Sequence, residues 1–98
     1  MEPAQITNEE LRLSQVPLPD ASWYEIADFA RTYDGYKESG SFEACACIAN
    51  EGPQETLHEL RVSLFFEWRR AHHGGRDPAA KELDHIRDLV RRIRACIA

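Results

Sequence analysis

Apolar residues recur along this chain at helical spacing, and turn residues cut the pattern into five pieces. The breaks are PLPD at Pro17–Asp20, DGY at Asp34–Tyr36, SGS at Ser39–Ser41, EGP at Glu51–Pro53 and HGGRDP at His73–Pro78. No run rich in Val, Ile or Thr alternates with period two, so the pattern predicts no sheet.

Three of the pieces open on a capping box, in which a hydroxyl and a glutamate satisfy each other's orphan backbone donors: Thr7–Glu10, Ser22–Glu25 and Thr56–Glu59. The first predicts a short helix, TNEELRLS, stopped by Val16–Pro17. The second predicts a helix over SWYEIADFARTY. Its inner face is Trp23, Ile26, Ala27, Ala30 and Tyr33, with Phe29 at the edge and Gly35 as a left-handed residue past its end. SFEACACIAN predicts a shorter helix with Phe42, Cys45 and Ile48/Ala49 inward.

The fourth piece, ETLHELRVSLFFEWRRAHHGG, is the most apolar. At about 100° per residue, Leu57, Leu60, Leu64, Trp68 and Ala71 make one stripe, which Phe65 widens. Val62 and Phe66 fall nearly opposite it, leaving Glu59, Ser63, Glu67 and Arg70 as a solvent strip. A helix apolar around most of its circumference is wrapped by others. The last piece predicts a helix with Asp77 as N-cap and Pro78 as its first residue. Its stripe is Ala79, Leu83, Ile86, Leu89/Val90, Ile93 and Ile97. The predicted fold is therefore all-α, a compact single-domain bundle of four to five short helices around a central helix at about residues 56–72. Its 98 residues allow one core and one domain, spanning 1–98 with residues 1–6 loosely ordered.

Composition fits a globular chain, 43% hydrophobic and 30% charged, and adds an asymmetry. Residues 1–55 carry three Lys/Arg against eleven Asp/Glu, and residues 56–98 carry nine against six. Such halves attract each other within one domain, and the net charge of −5 argues against nucleic acid and anionic membranes as general partners. The N-terminal residues lack the basic and apolar regions of a signal peptide, and no stretch reaches the ~20 apolar residues of a membrane span. Cys45, Cys47 and Cys96 are odd in number and form no disulfide framework. A cytoplasmic location is expected.

Two patterns suggest metal, and their geometry argues against it. ETLH (Glu55–His58) and ELDH (Glu82–His85) match the E-x-x-H of di-iron bundles, with Glu25 and Glu43 as the remaining carboxylates. His85 lies off its helix's apolar stripe, however, and Glu55 precedes the capping box. Cys45 and Cys47 with His72 and His73 suggest zinc, but a C-x-C pair on a helix points its thiols about 200° apart. No metal or cofactor is expected. The chain has no G-x-S-x-G, P-loop or G-x-G-x-x-G motif, so nothing singles out catalysis.

Arg61 falls inside the central apolar stripe, where a charge needs a partner. Asp28 and Asp34 are the candidates, and Arg61–Asp28 is the expected buried ion pair. Two surfaces stand out for binding. One is the aromatic turn Tyr33–Asp34–Gly35–Tyr36, beside Trp23 and Tyr24, because Tyr and Trp are over-used at interfaces. The other is the basic ridge Arg87, Arg91 and Arg94, with Arg92 outside it. Asp84 and Asp88 sit at pairing distance along that helix, so a self-paired face competes with an acidic partner there.

SWYEIADFARTYDGY, with LRVSLFFEWRR and the later IRDLVRRIR, resembles a group of small uncharacterised bacterial proteins. Their pattern reads W-x-x-I-x-x-F-A-x-T-[FY]-[DN]-G-Y, then L-R-x-x-L-F-F-E-x-R-R, and the similarity covers most of the chain from Ser22 onward. The resemblance implies bacterial origin and a shared helical fold, and no activity.

The expected function is a small cytosolic protein-interaction or regulatory module without catalytic activity. Its candidate surface is Tyr36, Asp34, Arg87, Arg91 and Arg94, and its partner is a protein, acidic where the basic ridge is the dock. The alternative is a small enzyme or ligand-binding bundle with a polar pocket around Arg61 and a histidine. The oligomeric state is left open.

Overall fold

Leu57–Gly74 forms an 18-residue helix, α4, against which every other helix packs. These are α1 (Trp23–Ala30), α2 (Gly35–Ser39), α3 (Phe42–Asn50) and α5 (Ala80–Ile97). This is the computed structural model of the chain, and it describes residues 5–97. The all-α bundle around a central helix is as the sequence predicts. No strand occurs among the described residues, and no helix among them is long and apolar enough to cross a membrane.

Two clusters lie on different sides of α4. Leu60 and Leu64 meet Ile26, Phe29 and Ala30 of α1 and Ile86, Leu89, Val90 and Ile93 of α5. Val62 and Phe65 meet Tyr33 and Cys45, with Tyr36, Ile48 and Phe66 packed around them. Trp68 touches both clusters. The four α5 residues are fully buried, each worth roughly 1.5–3 kcal/mol in apolar area removed from water.

Several local expectations are corrected. TNEELRLS is not a helix. Thr7 and Glu10 do bond, at 2.8 Å, but the chain makes a turn and then one 3₁₀ turn at Leu13–Gln15. Leu11 and Val16 are both buried, and on one helix they would point about 140° apart, so the chain must leave helical geometry to bury both. Residues 1–4 of the stretch expected to be loose lie outside the described residues. Ile6 is held: its N–H donates to Thr32 O at 2.8 Å and its side chain packs on the core.

Gly35 does not terminate α1 in a left-handed conformation. The Thr32 hydroxyl donates to Phe29 O at 2.6 Å, and Asp34 caps a helix the pattern did not predict, α2, accepting from Lys37 N at 3.0 Å. The glycine is needed for closeness instead. A Cβ on it would stand 2.7 Å from Phe65 Cδ2 and 3.3 Å from Cys45 Sγ. The left-handed positions are Gly40 and Gly75, at the ends of α2 and α4. Ser63, assigned to the solvent strip, is buried, and Phe42, assigned inward, is 47% exposed. At α5, Ala79 O takes the first helical bond from Leu83 N and Glu82 reaches back to Ala79 N, so the helix starts two residues past the predicted Pro78.

Candidate functional site

Arginine geometry separates structural positions from available ones. Within the helices, most arginines have an acid three or four residues away, as Arg70 has Glu67 and Arg91 has Asp88, both paired at 3.3 Å. Arg61, Arg69 and Arg94 have none at that spacing.

Arg61 is buried as expected, but the Arg61–Asp28 ion pair is not formed. Asp28 is on the surface, 3.5 Å from Arg31. Arg61 Nη1 donates to Ile6 O at 2.8 Å and Asn8 Oδ1 at 2.9 Å, and Nη2 donates to Thr32 Oγ1 at 3.2 Å. Its guanidinium lies 4.1 Å from the Tyr33 ring centre and 5.5 Å from that of Phe29. Neutral oxygens and aromatic faces thus replace the carboxylate. Burial pushes the guanidinium down to about 10, which leaves it charged at neutral pH. The Tyr33 hydroxyl bonds His58 Nδ1 at 2.8 Å and accepts from Asn8 at 3.3 Å, and burial pushes its own pKa up. This network closes over Arg61, which is buried to 2% exposure.

Arg94 is also structural, donating to Val16 O at 2.9 Å and Pro17 O at 3.5 Å. Arg92 donates to Gln54 O, fastening the α3–α4 connection to α5. Arg87 is half-buried, and of the expected basic ridge only Arg91 is exposed. The three arginines therefore do not form one free basic face.

Arg69 differs. Among the described residues its side chain has no carboxylate within 4.0 Å and no hydrogen bond to the protein. Its guanidinium lies over Tyr36 at 5.2 Å and Phe42 at 5.4 Å. Phe42 in turn leans on Phe66, with centroids 5.8 Å apart. Tyr36 is half-buried between Phe42 and Phe65, its hydroxyl inside the protein, and burial pushes its pKa up. It is the base of this surface, not a free tip.

Beside Arg69, between the end of α1 and the C-terminal half of α4, lies a recess of about 360 Å³. Tyr36, Phe65 and Trp68 line it, with Arg31 and Arg69 at its sides and the exposed His72 and His73 at the rim. His72 stacks on Trp68 at 5.2 Å and 19°, and Arg31 lies 5.8 Å from the same ring. Asp34 also faces the recess, with one oxygen already accepting from the first turn of α2.

No group of three or more His, Cys, Asp or Glu that could hold a metal stands together among the described residues. His58 is taken up by Tyr33, and Glu82 by Arg76 at 3.4 Å and by the start of α5. Cys45 is fully buried with its thiol pKa raised by burial, whereas Cys47 and Cys96 are exposed, and all three are unpaired.

The sequence reading placed Asp34 and Tyr36 near the site but missed Arg31, Trp68, Arg69, His72 and His73. The missing acid at helical spacing around Arg69 was the available signal. Comparison of the chain with protein-family models, with curated proteins and with solved structures finds no match.

Proposed function

We propose that this protein is a small interaction module without catalytic activity, and that it docks an acidic segment of a partner protein on the face formed by Arg69, Phe42, Tyr36 and Phe66. One observation carries the reading: among the described residues no carboxylate stands within 4.0 Å of the Arg69 guanidinium, which lies over the Tyr36 and Phe42 rings, and Phe42 is 47% exposed. Arginine with aromatic anchors is the composition enriched at interface centres, and a guanidinium already stacked loses less freedom when a carboxylate arrives. The reading moves the dock from Arg87, Arg91 and Arg94 to α4, and keeps Tyr36 and Asp34 as its supports. A reducing compartment, the cytoplasm, fits the three unpaired cysteines.

The test is selection of peptides from a random display library on the purified protein. The expected winners are acidic sequences with an apolar anchor. Their affinity should fall more than about tenfold in Arg69→Glu and in Phe42→Ala and stay unchanged in Arg91→Glu. Neutral or basic winners, or equal weakening by Arg91→Glu, would refute the assignment.

A further inference from the structure

We infer that the recess beside Arg69 is a binding site for a small aromatic monocarboxylate, a flat ring bearing one carboxylate. The inference concerns the cavity, not the outer face, and holds whether or not a protein docks there.

Size is the first argument. At about 360 Å³ the recess lies at the small end of ligand pockets and suits a molecule of one or two rings. Its walls are the second. Tyr36, Phe65 and Trp68 present aromatic surface, and a flat unsaturated body stacks on such surface at offset or edge geometry. Charge is the third. Arg69 brings a guanidinium that no oxygen of the described protein engages, and its planar fork matches a carboxylate through two parallel hydrogen bonds. Arg31 also lines the recess, shared with the exposed Asp28 at 3.5 Å. The ligand's charge follows from Asp34. Asp34 lines the same cavity and carries a negative charge, so a second negative charge on the ligand would be repelled, and a phosphate dianion is disfavoured against a monoanion. A neutral aromatic would leave Arg69 desolvated without a partner, which disfavours it in turn.

The experiment is an NMR titration of the full chain with benzoate, benzyl alcohol, cyclohexanecarboxylate, acetate and inorganic phosphate. It follows the Trp68 indole N–H and the arginine side-chain signals. Benzoate should give saturable shifts at Trp68, at concentrations up to about 20 mM, the weak end for so small a ligand. Benzyl alcohol, acetate and phosphate should each bind at least about tenfold more weakly, the loss expected when a charge-assisted bond or the stacked ring is missing. Cyclohexanecarboxylate should fall between benzoate and acetate. Arg69→Gln should weaken benzoate at least about tenfold, whereas Arg91→Gln should not change it. The ligand series is run on the unaltered protein and so stands apart from any folding defect of a variant. No saturable shift with benzoate, equal binding of benzyl alcohol, tighter binding of phosphate, or indifference to a folded Arg69→Gln would each overturn the inference. Such a result leaves the peptide selection untouched, so the two readings fail separately.

Discussion

The two halves of α4 use arginine in opposite ways. Arg61 and Arg69 stand eight residues apart on one helix, both without an acid at helical spacing and both stacked on tyrosine. Around Arg61 the helix is buried from Leu60 to Phe65, and three oxygens from the N-terminal segment and the end of α1 converge on the guanidinium. Past Trp68 the covering ends, the rim residues His72 and His73 are exposed, and among the described residues no oxygen bonds the Arg69 guanidinium. What decides between scaffold and site is therefore not the residue or its helical neighbours. It is whether a distant segment, here Ile6–Asn8, folds back to supply acceptors.

The largest break in this contrast is expected at Arg61. Arg61→Ala removes the donor for Ile6 O, Asn8 Oδ1 and Thr32 Oγ1 and leaves a void beneath Tyr33 and Phe29. The cost should be about 2–4 kcal/mol, a large share of the roughly 5–15 that stabilises a small domain. Urea denaturation measures it. Hydrogen exchange at the Ile6 amide, which donates to Thr32 O, should quicken together with global unfolding. Arg61→Lys keeps the charge but offers no planar fork, so it should recover only part of the loss. A cost below about 0.5 kcal/mol for Arg61→Ala would mean that the first half of α4 is not the scaffold described here.

The fold was legible where local chemistry and burial agree. At Thr56 the full capping box forms, while at Ser22 only the serine half does, accepting from Glu25 N at 3.2 Å; α4 and α5 follow their apolar stripes. It was misread where burial overrides local chemistry. Thr7 and Glu10 make their cap bonds, yet no helix grows, because Leu11 and Val16 must both reach the core. At Arg61, burial could be read from the stripe, but the acceptors could not: the Ile6 carbonyl carries no sequence mark, and Asn8 and Thr32 reach the guanidinium only through the tertiary fold. The recess was least legible. It joins the end of α1 to the end of α4, more than thirty positions apart, and its arginines look like any others until their neighbours are checked for acids.

Gly35 sharpens the comparison at the boundary between the halves, because Phe65 packs against it while also lining the recess. Gly35→Ala would put a methyl 2.7 Å from Phe65 Cδ2, so the ring must shift. Overpacking should cost about 1–3 kcal/mol, less the few tenths a helical alanine returns. For a domain of this length each kcal/mol lowers the melting temperature by roughly 4–8 °C, which calorimetry resolves. Benzoate binding should weaken as well, since one wall of the recess moves. An unchanged melt would mean that the α2–α4 contact is looser than its geometry indicates.

The smallest effect on stability is expected at Arg69, and it completes the contrast. The Arg69 side chain forms no hydrogen bond or ion pair within the described protein, so its removal strands no buried acceptor. What Arg69→Ala loses is the packing of the guanidinium on Tyr36 and Phe42, at 5.2 and 5.4 Å, in a partly exposed setting. Cation–π contacts of that kind contribute about 0.5–1 kcal/mol. The opposing term is that a positive charge lining the same recess as Arg31 disappears, which offsets part of the loss. The net loss of stability should therefore be under about 1 kcal/mol, read as a small fall in the urea midpoint with the denaturant slope unchanged. Binding of acidic peptides and of benzoate should nonetheless be lost. The two arginines then separate cleanly: Arg61→Ala lowers stability first and binding only through it, whereas Arg69→Ala removes binding from a protein that still folds. If Arg69→Ala instead unfolds the domain as readily as Arg61→Ala, the second half of α4 is scaffold too, and the site must be sought elsewhere on the surface.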